Sequence, residues 1–203
     1  MSTPVDDQAA GHTPLTADER EQLLPSYVVD RESLNAAEQA NILQATRWLR
    51  QANPDVLSHG TLPAIHRRMF GDVWGWAGQF RATERNIGVA PHQIAEQLGQ
   101  LVDNMRFQLT QRHPDWYAIT ARFHHQLVYI HPFPNGNGRW GRLATDQFLY
   151  FNGRRPPSWG RVMNLDAGDI RARYIDALRA GDRGDLSAMV AFFSESGDTF
   201  AII

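Results

Sequence analysis

The sequence predicts an all-α domain with one short extended flap. Apolar residues recur at three- and four-residue spacing in stretch after stretch. Asn, Pro and Gly punctuate the joins between those stretches. Only Ile87-Gly88-Val89 suits a small β-hairpin better than a helix.

The elements follow in order. Residues 1–16 are polar, small and contain Pro and Gly, which predicts a flexible lead-in. Residues 17–54 form an N-terminal helical segment whose main helix spans Arg31 to Ala52. Asp30 is its expected N-cap, and Leu34, Ala37, Asn41, Ala45 and Trp48 trace one face, interrupted by the polar Asn41. Asn53-Pro54 stops it. Leu62 to Phe70 reads as a second helix, ending at GDVWGWAGQF, where glycines and two tryptophans predict a packed turn. Pro91 suits the first turn of the next helix, along which Ile94, Leu98, Leu101, Met105 and Leu109 repeat at helical spacing. Trp116, Ile119, Phe123, Leu127 and Ile130 form another stripe. A further helix after Gly138 carries Leu143, Phe148 and Leu149 to Asn152-Gly153. Asp169–Ala180 and Asp185–Ser194 complete the set, each with a carboxylate at its start and a glycine after its end.

Bulk properties exclude several functions. With 203 residues and 42% hydrophobic content the chain can bury a core as one domain. A formal net charge of -2 offers no global attraction for nucleic acid, so no direct nucleic-acid binding is expected. The absence of cysteine excludes disulfides and thiolate metal sites and fits a reducing cytoplasm. No signal peptide and no membrane span are expected, because no basic start precedes an apolar run and no long apolar stretch occurs.

The chemistry concentrates in HPFPNGNGRWGR, His131 to Arg142. Gly136 and Gly138 permit positive backbone dihedrals around Asn137, so successive N–H groups can turn inward as an anion-binding concavity. The helix that follows points its positive end to the same place, and Arg139 and Arg142 share one face of its first turn. His131 stands at the other end, where a neutral imidazole could remove a proton from a hydroxyl. A Walker-type reading fails for want of a Gly-Lys-Ser/Thr, and no dinucleotide fingerprint follows a strand. From spacing alone, a simple turn with a solvated arginine face and a phosphate site both stay open.

The stretch resembles the signature of the Fic (Fic/Doc) family, H-x-F-x-[D/E]-G-N-G-R-x-x-R, at every fixed position except Asn135. IHRRMFGDVWGWAGQFR (Ile65 to Arg81), FHHQLVYIHPF (Phe123 to Phe133) and YIDALRAGDRGDLSAMVAFF (Tyr174 to Phe193) resemble the family's segments around it. The opening LLPSYVVDRESLNAAEQANI is similar to the group described as mobile mystery protein B. The resemblance implies a Fic-type helical bundle over residues 55–203 and transfer of AMP from ATP, with Mg²⁺, to a Ser, Thr or Tyr hydroxyl of a target protein. His131 would be the general base. Gly136, Asn137 and Gly138 would hold the α- and β-phosphates, Arg139 the β-phosphate and Arg142 the γ-phosphate. Ile87, Gly88 and Val89 would lie in a flap that pairs with the target. Asn135 stands where the family carries its Mg²⁺-binding carboxylate, and offers only a neutral oxygen. Many members carry an inhibitory helix, [S/T]-x-x-x-E-[G/N], whose glutamate occupies the second arginine. Glu38 lies where that glutamate is expected, with Leu34 and Gln39 departing from the flanking pattern. An antitoxin and a second copy of the chain are further partners that the resemblance allows. Two rival readings are an enzyme on the same scaffold handling another nucleotide or phospho-group, and a non-catalytic toxin/antitoxin-type binding module.

Overall fold

Each apolar stripe becomes a helix, and the stripes together become one core. The computed structural model describes residues 15–160 and 166–195. Among them eight α-helices run in order: α1 Ala17–Arg20, α2 Arg31–Ala52, α3 Thr61–Phe70, α4 Ile94–Leu109, α5 Trp116–Ile130, α6 Asn137–Phe151, α7 Ala167–Asp182 and α8 Ser187–Ser194. One turn of 3₁₀ helix, Pro91–Gln93, leads into α4. Of the expected lead-in, residues 1–14 lie outside the described residues; Thr16 already caps α1 through a reciprocal pair of hydrogen bonds with Glu19.

Helix α5 is the spine. Its Phe123, Leu127 and Ile130 are fully buried, with α4 and α6 packed on either side and α8 also against it. Helix α7 packs on α8, and α3 joins α6 to α2. No helix among the described residues is long and apolar enough to cross a membrane.

Asp30 does cap α2, its carboxylate accepting from the Ser33 N–H at 2.9 Å. The buried stripe is Leu34, Glu38, Asn41, Ala45 and Leu49, so Leu49 rather than Trp48 enters the core and a glutamate joins it. The polar Asn41 that interrupts the stripe is explained by Asp72: its amide donates to the Asp72 carboxylate at 2.9 Å and its oxygen accepts the Asp72 N–H at 3.0 Å. That pair fixes α2 to the turn after α3. In this turn Trp74 and Trp76 are buried and stacked, with ring centres 5.2 Å apart.

Three expectations are corrected. Helix α7 starts earlier, at an Asp166 cap, and continues to Asp182, so Gly181 lies within it beneath the His125 ring rather than after its end. Helix α8 starts later, at Ser187 rather than Asp185, and the glycine expected after its end lies outside the described residues. The third concerns the flap: residues 81–90 form no strand. The Val89 N–H donates to the Ile130 carbonyl at 3.4 Å, and the Arg81 N–H to the Pro132 carbonyl at 2.9 Å. The segment therefore spends these bonds on the end of α5 instead of on a hairpin of its own.

Candidate active site

The site begins where α5 ends. His131 occupies its C-cap position in the left-handed region, at φ 52°, which turns the chain sharply into Pro132. Such a conformation in a non-glycine residue costs about 1–3 kcal/mol. Burial of Ile130 and Phe133 on either side, roughly 1.5–3 kcal/mol each, offsets it. The turn is also stapled from outside by Arg81, which the sequence reading did not single out. Its buried guanidinium donates to the carbonyls of His131 at 2.7 Å, Thr83 at 3.0 Å and Val89. Arg81 thus joins the flap to the end of α5 through backbone carbonyls. Beside it, Gly88 sits at φ +98°, where a Cβ would stand 2.6 Å from the His131 Cβ. Only a glycine lets the flap lie this close over the histidine.

The loop from Phe133 to Asn137 is closed by Asn137. Its side-chain oxygen accepts from the Phe133 N–H at 2.9 Å, and its amide donates to the Phe133 carbonyl at 2.8 Å. The Asn137 side chain shapes the loop, a different task from the direct phosphate contact that the resemblance implies. His66 holds the same loop from behind. Its Nδ1 accepts the Gly78 N–H at 3.0 Å, so its Nε2–H donates to the Asn135 carbonyl, also at 3.0 Å. Burial, reinforced by the charge of Arg139, pushes His66 down to about 3, so it stays neutral. The ring also stacks on Phe133 at 3.7 Å. Sequence reasoning left His66 unassigned, because nothing local ties position 66 to position 135.

Gly136, at φ +77°, caps α6. No side chain caps this helix among the described residues, so its first N–H groups are directed outward for an anion. Arg139 and Arg142 follow on the first turns. Arg139 donates to the buried Glu38 carboxylate at 2.5 Å, and the other Glu38 oxygen accepts from the Trp74 indole at 2.8 Å. The glutamate thus occupies the first motif arginine, Arg139, rather than the second. Arg142 instead lies 6.0 Å from the centre of the Tyr174 ring.

His131 is held well below neutrality, at about 4, by burial first and then by the charges of Arg81 and Arg85; a hydrogen bond to the Val128 backbone opposes them. The sequence reading asked for a neutral imidazole. The structure gives one that is neutral at physiological pH but weakly basic. The anionic charge of a bound polyphosphate would raise it again. Arg85 itself is paired with Glu19, which ties α1 to the flap.

The Mg²⁺ expectation meets a poor fit. The Asn135 side-chain oxygen accepts the Gly136 N–H at 2.6 Å, and its backbone oxygen accepts from His66. No group of three His, Asp or Glu side chains suited to a metal ion occurs among the described residues. A neutral oxygen already bonded to the loop is a weak ligand for a hard cation.

Residues 56–149 match the Fic/DOC family. They are a Fic/DOC family domain. The chain is 30% identical over 139 residues to protein adenylyltransferase fic-1 of Caenorhabditis briggsae, covering 66% of this chain and 26% of that protein. It therefore spans about a quarter of the length of the curated relatives it first matches. A solved structure of Fic-1 from C. elegans superposes with a TM-score of 0.66 at 26% identity, covering 89% of this chain and 52% of that one. The N-terminal Fic domain of a Bep effector from Bartonella quintana gives 0.70 at 17% identity over 91% and 94%. The likeness in fold therefore covers far more of the chain than residues 56–149, the stretch that matches the family in sequence.

Proposed function

We propose that this Fic domain is a protein adenylyltransferase acting in the cytoplasm, which transfers AMP from ATP to a Ser, Thr or Tyr hydroxyl of a target protein. One observation carries the reading: a neutral histidine, an uncapped helix N-terminus and two arginines meet within twelve residues at the α5–α6 turn. The adenylyltransferase names of the relatives in C. briggsae and C. elegans support it. The backbone at Gly136–Gly138, through the N–H groups of Asn137 and Gly138, and the guanidinium groups of Arg139 and Arg142 hold the phosphates. His131 takes the proton of the target hydroxyl, whose oxygen bonds to the α-phosphorus while the bond to the β-phosphate oxygen breaks. Pyrophosphate leaves with both electrons of that bond. Ile87, half exposed, and Gly88 place the target segment over His131. Mg²⁺ accompanies the nucleotide phosphates and owes little to Asn135.

Residues 17–54 serve as a regulatory segment, with Glu38 competing for Arg139 against a phosphate. The test is incubation with ATP and a native lysate, reading AMP-sized mass gains on the protein and its targets. Modification by the Glu38→Gly variant that disappears in Glu38→Gly/His131→Ala supports the reading. An identical pattern in both variants rejects it. Asn135 favours a second reading, transfer from another nucleotide. Parallel reactions with GTP, UTP and CTP decide it by the mass added.

A further inference from the structure

Behind α6 lies a buried polar chain that the family signature does not contain. His124 is fully buried, and both its ring nitrogens are bonded: Nδ1 to the Thr145 hydroxyl at 3.0 Å, Nε2 to the Tyr174 hydroxyl at 2.8 Å. The direction of every proton in this chain can be read. The Thr145 hydroxyl donates to the Gly141 carbonyl at 2.7 Å, so it must accept from His124 Nδ1–H. Nε2 is then the acceptor, and Tyr174 O–H donates to it. With its proton so committed, the Tyr174 oxygen keeps its lone pairs for the nearby Arg142 guanidinium. Burial raises the Tyr174 phenol, and the charge of Arg142, whose guanidinium carbon lies 6.0 Å from the centre of its ring, works the other way. His124 is pushed down to about 3 by burial and by Arg142, and so remains the neutral acceptor that this order requires.

Three helices contribute to the chain, α5 through His124, α6 through Thr145 and Arg142, and α7 through Tyr174. Trp159 encloses His124, its ring centre 4.7 Å away, and Phe193 of α8 lies at 6.1 Å. Such a network, satisfied at every member and sealed by aromatic rings, is rigid. It is also neutral, so it orients the arginine without competing for its charge.

We propose that Tyr174, set by His124 and Thr145, is a positioning residue that holds Arg142 for the terminal phosphate of the bound nucleotide. This rests on the reading of Arg142 as a phosphate clamp. It adds that specificity for a triphosphate over a diphosphate depends on α7, a helix outside the signature and outside the family match at residues 56–149.

The test is equilibrium binding of ATP and of ADP to the full chain carrying Glu38→Gln, in that background alone and with Arg142→Ala, Tyr174→Phe, and both. Arg142→Ala tests the underlying reading: it must weaken ATP more than ADP, and equal affinities with and without it would reject the clamp itself. Given that loss, Tyr174→Phe is expected to weaken ATP roughly five-fold, with ADP changed little, and to add nothing in the Arg142→Ala background. Additive losses in the double variant, or an equal loss for ATP and ADP, would overturn the positioning role. His124→Gln, which retains a neutral acceptor, supplies the second measurement. It should restore most of the ATP preference that His124→Leu removes, and equal loss in the two variants counts against the proposal. Thermal melting of each variant confirms that the comparison is made between folded proteins.

Discussion

Arg139 and Arg142 stand one turn apart on the same helix, yet the fold restrains them in opposite ways. Arg139 is held by the buried carboxylate of Glu38, itself fixed by the Trp74 indole. Arg142 faces the neutral Tyr174, backed by His124 and Thr145. An ion pair must be broken before a phosphate can take its cation, whereas a hydroxyl can orient a cation that keeps its full charge for the ligand. The difference teaches how one turn of helix can hold a charged contact and a neutral one. The carboxylate comes from α2 and the phenol from α7, so each can vary without the other.

The largest expected effect separates both arginines from the chemistry. His131→Ala should lower transfer by about 10²–10⁴-fold while ATP binding by the two arginines stays within two-fold. Parallel loss of binding and rate would show that the histidine holds the nucleotide instead.

Acid should break the Arg142 arm through its histidine. His66 and His124 are held to about 3 and His131 to about 4, against 6.5 in the unfolded chain. The unfolded chain binds the protons first, so the stability is fully present above pH 6.5 and is lost as pH falls toward those values. The loss is at most about 1.4 kcal/mol per pH unit for each histidine. Urea midpoints measured from pH 7 to 4 should fall steadily, and His124→Gln should flatten the slope; a midpoint independent of pH would contradict the buried neutral network.

A third change acts on the flap that covers the histidine between the arms. Gly88→Ala adds a Cβ 2.6 Å from that of His131 at a φ that alanine disfavours. It should cost about 1–3 kcal/mol in unfolding or detach the flap, lowering transfer without weakening ATP binding. Unchanged melting and activity would place the flap elsewhere.

The smallest effect is the most direct on the comparison. Glu38→Gln keeps an acceptor for Trp74 but removes the charge that holds Arg139. ATP should then bind roughly ten-fold tighter, the two arginines now being alike in their freedom. Titration calorimetry reads it, and unaltered affinity would mean that the Glu38–Arg139 pair does not compete with phosphate.

Much of this was legible beforehand. Helical spacing located α2 to α6, Asp30 announced its cap, and the motif placed His131, Gly136, Arg139 and Arg142 at one turn. Local sequence suffices there because a cap, a stripe or a loop motif is read over a few consecutive residues. The reading missed what depends on distant partners. Glu38 stood out only through the resemblance to an inhibitory helix, with nothing near it naming Trp74 and Arg139 as its partners, and Asn41 looked like a flaw until Asp72 matched it. Arg81, His66, His124 and Tyr174 carried no local signal that located them, since all their partners but the Thr83 carbonyl lie 8 to 69 positions away. The hairpin expected at Ile87-Gly88-Val89 failed for the same reason, because the end of α5 offered its backbone better partners.

By itself, then, the sequence determined the helices and the composition of the candidate anion site, because periodicity and short-range backbone geometry are local properties of the chain. Tertiary structure alone decided which arginine Glu38 takes, which imidazoles stay neutral and how the flap is held. These depend on burial and on hydrogen bonds between residues that meet only when the helices pack.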